Sequence, residues 1–144
     1  MKKTFTDAEV EKIVLILNDS SSVMHDTTVK IPAKIRQALR INFKTLFELA
    51  KESVGTRWDI IQRYIDAGDA TKDATKGTIH FDRNFNLVTR ELEELSKIEN
   101  GVELVGINSK ELNTFLESVD ISMEEEDAIL AFEQKEEKKD SENV

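Results

Sequence analysis

The chain has 144 residues, of which 39% are hydrophobic and 34% charged, and its 29 acids against 20 bases give a formal net charge of −9. That length fits one domain, with or without a tail. The absence of Cys excludes a disulfide framework, a zinc finger, an iron–sulfur cluster and a thiol nucleophile, five Gly and one Pro are too few for an all-β protein built on tight turns, and a net acidic chain is a poor general ligand for polyanions.

The N-terminus Met1-Lys2-Lys3 is basic, but Thr4, Thr6, Asp7, Glu9 and Glu11 interrupt any apolar run that would make a signal peptide. The first helix is expected from Asp7 to Asn18. Thr6 and Glu9 stand at capping-box distance, and Phe5 and Val10 at the distance of a hydrophobic staple. Its apolar residues Val10, Ile13, Val14, Ile16 and Leu17 cover more than one face, as in a helix pressed between two partners. The run Ile13 to Leu17 is the most apolar stretch and falls far short of the ~20 residues of a membrane helix, so a cytoplasmic setting is expected. Asn18-Asp19-Ser20-Ser21-Ser22 ends the helix.

Asp26-Thr27-Thr28 suits a second helix cap, with Pro32 in the first turn. Two neighbouring apolar stripes follow from Ile35 through Leu39, Phe43, Leu46 and Phe47 to Val54, and the spacing resumes through Trp58, Ile61, Tyr64 and Ile65. One long helix with a kink or brief break near Gly55 is expected. Residues 66–77 contain a tandem Asp-Ala-Thr-Lys and no large apolar side chain, which reads as a mobile surface loop.

Ile79 and Phe81 alternate with Thr78 and His80 in a half-buried strand over 77–82. Phe85, Val88, Leu92 and Leu95 form a helical stripe ended by Asn100-Gly101. Val102, Leu104, Val105 and Ile107 make a second short strand. Asn108 or Ser109 then caps a helix with Glu111 at box distance and a buried stripe of Leu112, Phe115, Leu116 and Val119. The last helix starts at Ser122 with Glu125 at box distance. Glu124, Glu125, Glu126 and Asp127 crowd its first turn, where the helix dipole favours negative charge. From Glu133 to Val144 the chain is almost wholly polar and is expected to fray.

Charge is unevenly placed. Residues 120–144 hold ten acids against three bases, a net of −7, whereas residues 30–63 hold eight bases against three acids, a net of +5. Mutual attraction between these regions, within one chain or between copies, is one reading; two solvated helix faces is the other. Lys34, Arg40 and Lys44 could contact nucleic acid, but no recognition motif accompanies them and the acidic tail would compete with phosphate.

Catalytic groupings are sparse. His25-Asp26 lies near Ser20, Ser21 and Ser22, yet adjacency along a polar linker does not make a triad. His80 is expected to face solvent. The 124–127 cluster lacks the spaced ligands and glycine turn of an EF-hand. Gly55, Gly68, Gly77, Gly101 and Gly106 form neither a phosphate loop nor a dinucleotide fingerprint. No catalytic, cofactor-binding or metal-ligating residue is assigned. Trp58 and Tyr64 sit at helical spacing with Ile61 and Ile65, which favours packing over base stacking.

The layout of Phe-Thr-Asp-Ala-Glu-Val-Glu-Lys-Ile at 5–13, a long charged helix, a variable loop, Glu-Leu-Glu-Glu-Leu at 91–95 and Val-Asp-Ile-Ser-Met-Glu-Glu-Glu-Asp at 119–127 resembles small proteins of unknown function from tailed phages and prophages of Gram-positive bacteria. The middle helix carries more aromatics than that group, and the Asp-Ala-Thr-Lys loop is not part of its pattern. The resemblance implies a phage accessory role and supplies no site residues.

The expected fold is mainly α (α+β): a long helix hairpin or short coiled-coil-like bundle with a minor two-stranded β element and an acidic C-terminal tail. Residues 1–132 form a single helical domain and 133–144 the tail. The expected function is non-catalytic protein interaction as a homo-oligomer or with another protein, without cofactor, membrane or nucleic acid. Val10, Ile13, Val14, Leu17, Leu39, Phe43, Leu46, Phe47, Trp58, Ile61 and Tyr64 are the interface candidates, because apolar stripes outnumber the elements able to cover them. An acidic inhibitor of a host factor or nucleic-acid mimic is the alternative, and a carboxylate-based enzyme the third reading.

Overall fold

The computed structural model describes residues 1–135. Its elements run β1 (Lys2–Thr6), α1 (Asp7–Asn18), a 3-10 turn (Val23–His25), α2 (Ala33–Asp66), β2 (Ala70–Lys72), β3 (Ile79–Phe81), α3 (Phe85–Ser96), β4 (Glu99–Glu103), β5 (Ile107–Asn108), α4 (Ser109–Ser118), α5 (Met123–Leu130) and β6 (Glu133–Gln134). The architecture is mainly helical, organised around one long helix, with small paired strands.

α1 starts and stops where the sequence places it. The Glu9 N–H donates to the Thr6 hydroxyl oxygen at 3.2 Å, and the Thr6 N–H donates to the Glu9 carboxylate at 3.1 Å. Two donors that the first helical turn leaves orphaned are thereby satisfied. The staple residues Phe5 and Val10 are both buried in the main core. The preceding Lys2–Thr6 is a strand that the sequence did not announce, since Phe5 is its one buried residue and a single apolar position has no period.

α2 departs from expectation at its start and its middle. Asp26 does not cap it; that carboxylate accepts the Thr28 N–H at 2.9 Å and hydroxyl at 2.6 Å in a local turn. The helix begins after Pro32, whose position makes no side-chain cap bond. It then runs unbroken through Gly55 for 34 residues, about 51 Å at 1.5 Å per residue. A mid-helix glycine costs about 1 kcal/mol relative to alanine. Tertiary contact offsets this locally, because Ser53 and Arg57, on either side of Gly55, both donate to Glu11 of α1.

The expected mobile loop at 66–77 is instead part of a hairpin. The first Asp-Ala-Thr-Lys copy contains β2, antiparallel to β3, with Ala70 opposite Phe81 and Lys72 opposite Ile79. The second copy is the connection, in which the Asp73 carboxylate accepts from the Thr75 and Lys76 N–H groups at 2.9 and 3.2 Å. Polar anchors replace the missing apolar ones. The Asp69 carboxylate pairs with Arg83 at 2.8 Å and accepts from Asn84 at 3.1 Å. Gly68 and Gly77 take φ of 82° and 68°, a region that side chains with a Cβ seldom enter.

The two strands read at 77–82 and 102–107 do not pair with each other. β3 pairs with β2, while β4 runs antiparallel to β1 with Thr6 opposite Glu99. β5 runs parallel to β6, with Ile107 opposite Glu133. Three two-stranded sheets therefore stand in place of one. The β6 pairing also corrects the boundary at 132, because Glu133–Gln134 belongs to the fold rather than to a frayed tail. The rest of the expected tail, 136–144, lies outside the described residues.

Most buried apolar side chains form one core, in which Leu17, Leu46, Leu112, Ile129 and Phe132 are wholly enclosed. A separate small cluster of Tyr64, Ala70 and Val88, flanked by Ile60, Ile79, Phe81 and Leu92, sits where α2, the hairpin and α3 meet. Buried polar groups fasten loops to this frame. The Asn42 amide, fully buried in α2, donates to the Val105 carbonyl at 2.8 Å and accepts the Val105 N–H at 2.7 Å. The Glu125 carboxylate accepts from the Ser22 hydroxyl and the Val23 N–H at 2.8 and 2.7 Å, and Asn100 donates to Asp7 at 2.6 Å. No buried side-chain nitrogen or oxygen among the described residues lacks a partner.

Candidate interaction surfaces

The interface candidates divide by burial. Val10, Val14, Leu17, Leu39, Leu46 and Tyr64 are buried by the chain's own elements and are removed as contact residues. The physical reason is that α1 lies between two neighbours of the same chain, α2 and α5, so both of its stripes are covered internally. Ile13, Phe43 and Ile61 are half-buried. Phe47 and Trp58 remain 41% and 50% exposed.

Those two residues belong to a stripe that the fold leaves open. Phe47, Val54 and Trp58 are seven and four residues apart, which at about 100° per residue puts them within roughly 20° of one line along α2. Val54 is exposed as well. Phe43, with its ring 5.8 Å from that of Phe47, continues the stripe one turn earlier, and Ile61 continues it one turn later.

A second surface surrounds the first three turns of α2. A cleft of about 730 Å³ opens between this helix and the segment joining β4 to β5, with Ala38, Ile41 and Val105 as apolar lining and Lys34 and Lys135 beside them. Ile41 and Gln37 are shared with a shallower cleft bordered by Arg36, Arg40 and Lys44. Between Asp26 and Glu48 the chain carries five bases and no acid. Sequence reading noted Lys34, Arg40 and Lys44. The groove escaped it because Val105 and Lys135 come from distant parts of the chain.

A third surface is the start of α5. Ser122 accepts the Glu125 N–H at 3.1 Å, but the Glu125 carboxylate turns inward to Ser22 and does not close a capping box. Glu124, Glu126 and Asp127 stay exposed around Met123, which is 78% exposed.

Ser21, Ser22, His80 and Tyr64 each meet an acidic side chain. The Ser21 hydroxyl donates to Asp19 at 2.6 Å and the Ser22 hydroxyl to Glu125, so neither serine meets the His25 imidazole. Ser21, through its hydroxyl and then its N–H, holds the Asp19 carboxyl below its ordinary pKa, and Thr28 does the same for Asp26. His80 faces solvent with Nε2 3.2 Å from Asp82. In the small cluster, burial, and then the hydrogen bond and charge of Glu91, push the Tyr64 phenol up. Among the described residues no three His, Asp or Glu side chains are placed to share a metal ion, and no helix is long and apolar enough to cross a membrane.

Comparison with known proteins finds no matching family model, no matching curated protein and no matching solved structure.

Proposed function

We propose that this protein is a non-catalytic interaction protein that works by self-association, as a phage or prophage accessory component in the host cytoplasm. The phage setting rests on the sequence resemblance. Self-association rests on one observation, the open stripe Phe47, Val54 and Trp58 on the longest helix. Three large apolar side chains aligned along one helix offer a self-complementary strip, and a twofold contact would pair the strip with itself. Large aromatic side chains at the centre of such a contact carry much of its energy.

Trp58 is the sole tryptophan, so its fluorescence reports directly on the strip. As the protein is concentrated, the emission should shift to the blue while light scattering shows the mass rising above 16.4 kDa. Phe47→Glu and Trp58→Glu should each lower the assembled mass below that of wild type at the same concentration, with an unchanged helical circular dichroism signal. A wild-type chain that stays monomeric at every concentration, with an invariant Trp58 emission, refutes this reading.

A further inference from the structure

We propose that the cationic groove at the N-terminal end of α2 receives the acidic start of α5 from a second copy of the chain. The groove is built for an acidic, partly apolar ligand. It consists of two adjoining clefts that share Gln37 and Ile41: Lys34, Ala38 and Val105 line one, and Arg36, Arg40 and Lys44 line the other. Lys30 and Lys110 extend the positive surface around a third cleft that shares Lys34. Among the described residues Glu111 is the one acid found in these linings, in the first and third clefts. Arg57 and Arg63, in the other half of α2, pair with Glu11 and Glu91, whereas no groove cation has an ion-pair partner among the described residues.

The complement is displayed elsewhere on the same chain. Met123 projects into solvent with Asp120, Glu124, Glu126 and Asp127 exposed beside it. None of these acids has an ion-pair partner among the described residues, and none meets the groove within the protomer. Met is unbranched and polarizable, suited to filling an irregular apolar floor. Carboxylates around it would face the groove cations. Opposed single-sign patches steer encounter and fix register.

One feature favours this occupant over nucleic acid: among the described residues the groove lining presents no exposed aromatic ring on which a base could stack. Groove and acidic knob are different surfaces, so the contact is head-to-tail and propagates into a ring or an open chain. The inference rests on the self-association proposed above, but it uses a surface separate from the Phe47–Trp58 strip.

A charge exchange tests it. Arg40→Glu with Lys44→Glu makes one chain acidic on both surfaces. Glu124→Lys with Glu126→Lys makes another basic on both. In sedimentation velocity at low salt, each variant alone should associate roughly tenfold or more weakly than wild type, and an equimolar mixture of the two should recover assembly. Wild-type assembly should weaken as salt rises, because the contact is screened. Lysine in the first turn of α5 opposes the helix dipole. Glu124→Gln with Glu126→Gln therefore serves as the folding-neutral companion and should give a partial loss at unchanged circular dichroism. Variants that assemble like wild type, or a mixture that stays apart, overturn the proposal. So does loss, in the groove variant, of tight wild-type binding to a labelled DNA duplex. If Trp58→Glu abolishes assembly while the charge variants change nothing, the groove inference alone falls.

Discussion

The two halves of α2 share one continuous helix and differ in almost everything packed around them. From Ala33 to Ala50 the helix buries Ile35, Ala38, Leu39, Asn42, Leu46 and Ala50 in the main core, while from Lys51 to Asp66 only Ser53 and Tyr64 are buried. The cations of the first half have no ion-pair partner among the described residues, and the second half ties Arg57 to α1 and Arg63 to α3. A helix's existence is thus a local property of the chain, whereas what each face does depends on which elements return to cover it. Beyond the Glu11 contact of Ser53 and Arg57, the second half packs on a hairpin and α3, so few of its side chains are buried and its apolar strip stays open.

The contrast is open to attack first through its packing. Leu46→Ala removes a fully buried side chain from the large core and should cost about 3 kcal/mol, lowering the whole unfolding transition. Val88→Ala in the small cluster should cost about 2 kcal/mol. Its effect on amide exchange should concentrate in β2, β3 and the last turns of α2, with protection around Leu39 and Leu46 retained. Uniform loss of protection in both variants would show that the two halves unfold as one unit.

The junction between the halves gives a smaller effect of opposite sign. A Cβ added at Gly55 meets no atom within 4 Å, so Gly55→Ala should stabilise the protein by about 0.5–1 kcal/mol in thermal or urea unfolding. A destabilising result would mean that the helix needs a break there.

The smallest effect is a titration. Tyr64 is the only tyrosine, so the ultraviolet signal of phenolate formation belongs to it alone. Its pKa is raised in the folded state. The associated stability is complete below the free tyrosine value of about 10 and is lost as pH rises through the folded value. Glu91→Gln removes the nearby negative charge and should lower the midpoint. An unchanged midpoint would detach Tyr64 from the Arg63–Glu91 pairing that covers this half of α2.

Legibility in the sequence followed the range of the interactions. α1 could be read entire because its cap, staple and apolar period all lie within a dozen residues. β1 and β6 carry no alternating apolar signal and exist because a distant strand offers them hydrogen bonds. Within 66–77 the sequence pattern reads as a mobile loop, and β2 and the turn escape it because Asp69, Arg83 and two positive-φ glycines hold them in place of apolar side chains, whereas β3 follows the alternation read over 77–82. Among the interface candidates, Leu46 and Phe47 show the limit most plainly. They are adjacent and both apolar, yet one is wholly enclosed and the other open.

By itself the sequence determined the helical character, the caps of α1 and α4, the separation of positive and negative regions and the lack of any cysteine chemistry. These follow from residue type and short spacing, which one segment carries alone. Tertiary structure decided which stripes became core, how the strands paired, and that Lys34, Ile41, Val105 and Lys135 border one groove. Burial and pairing depend on segments far apart in the chain, and a single segment's pattern does not specify which distant surface will close over it.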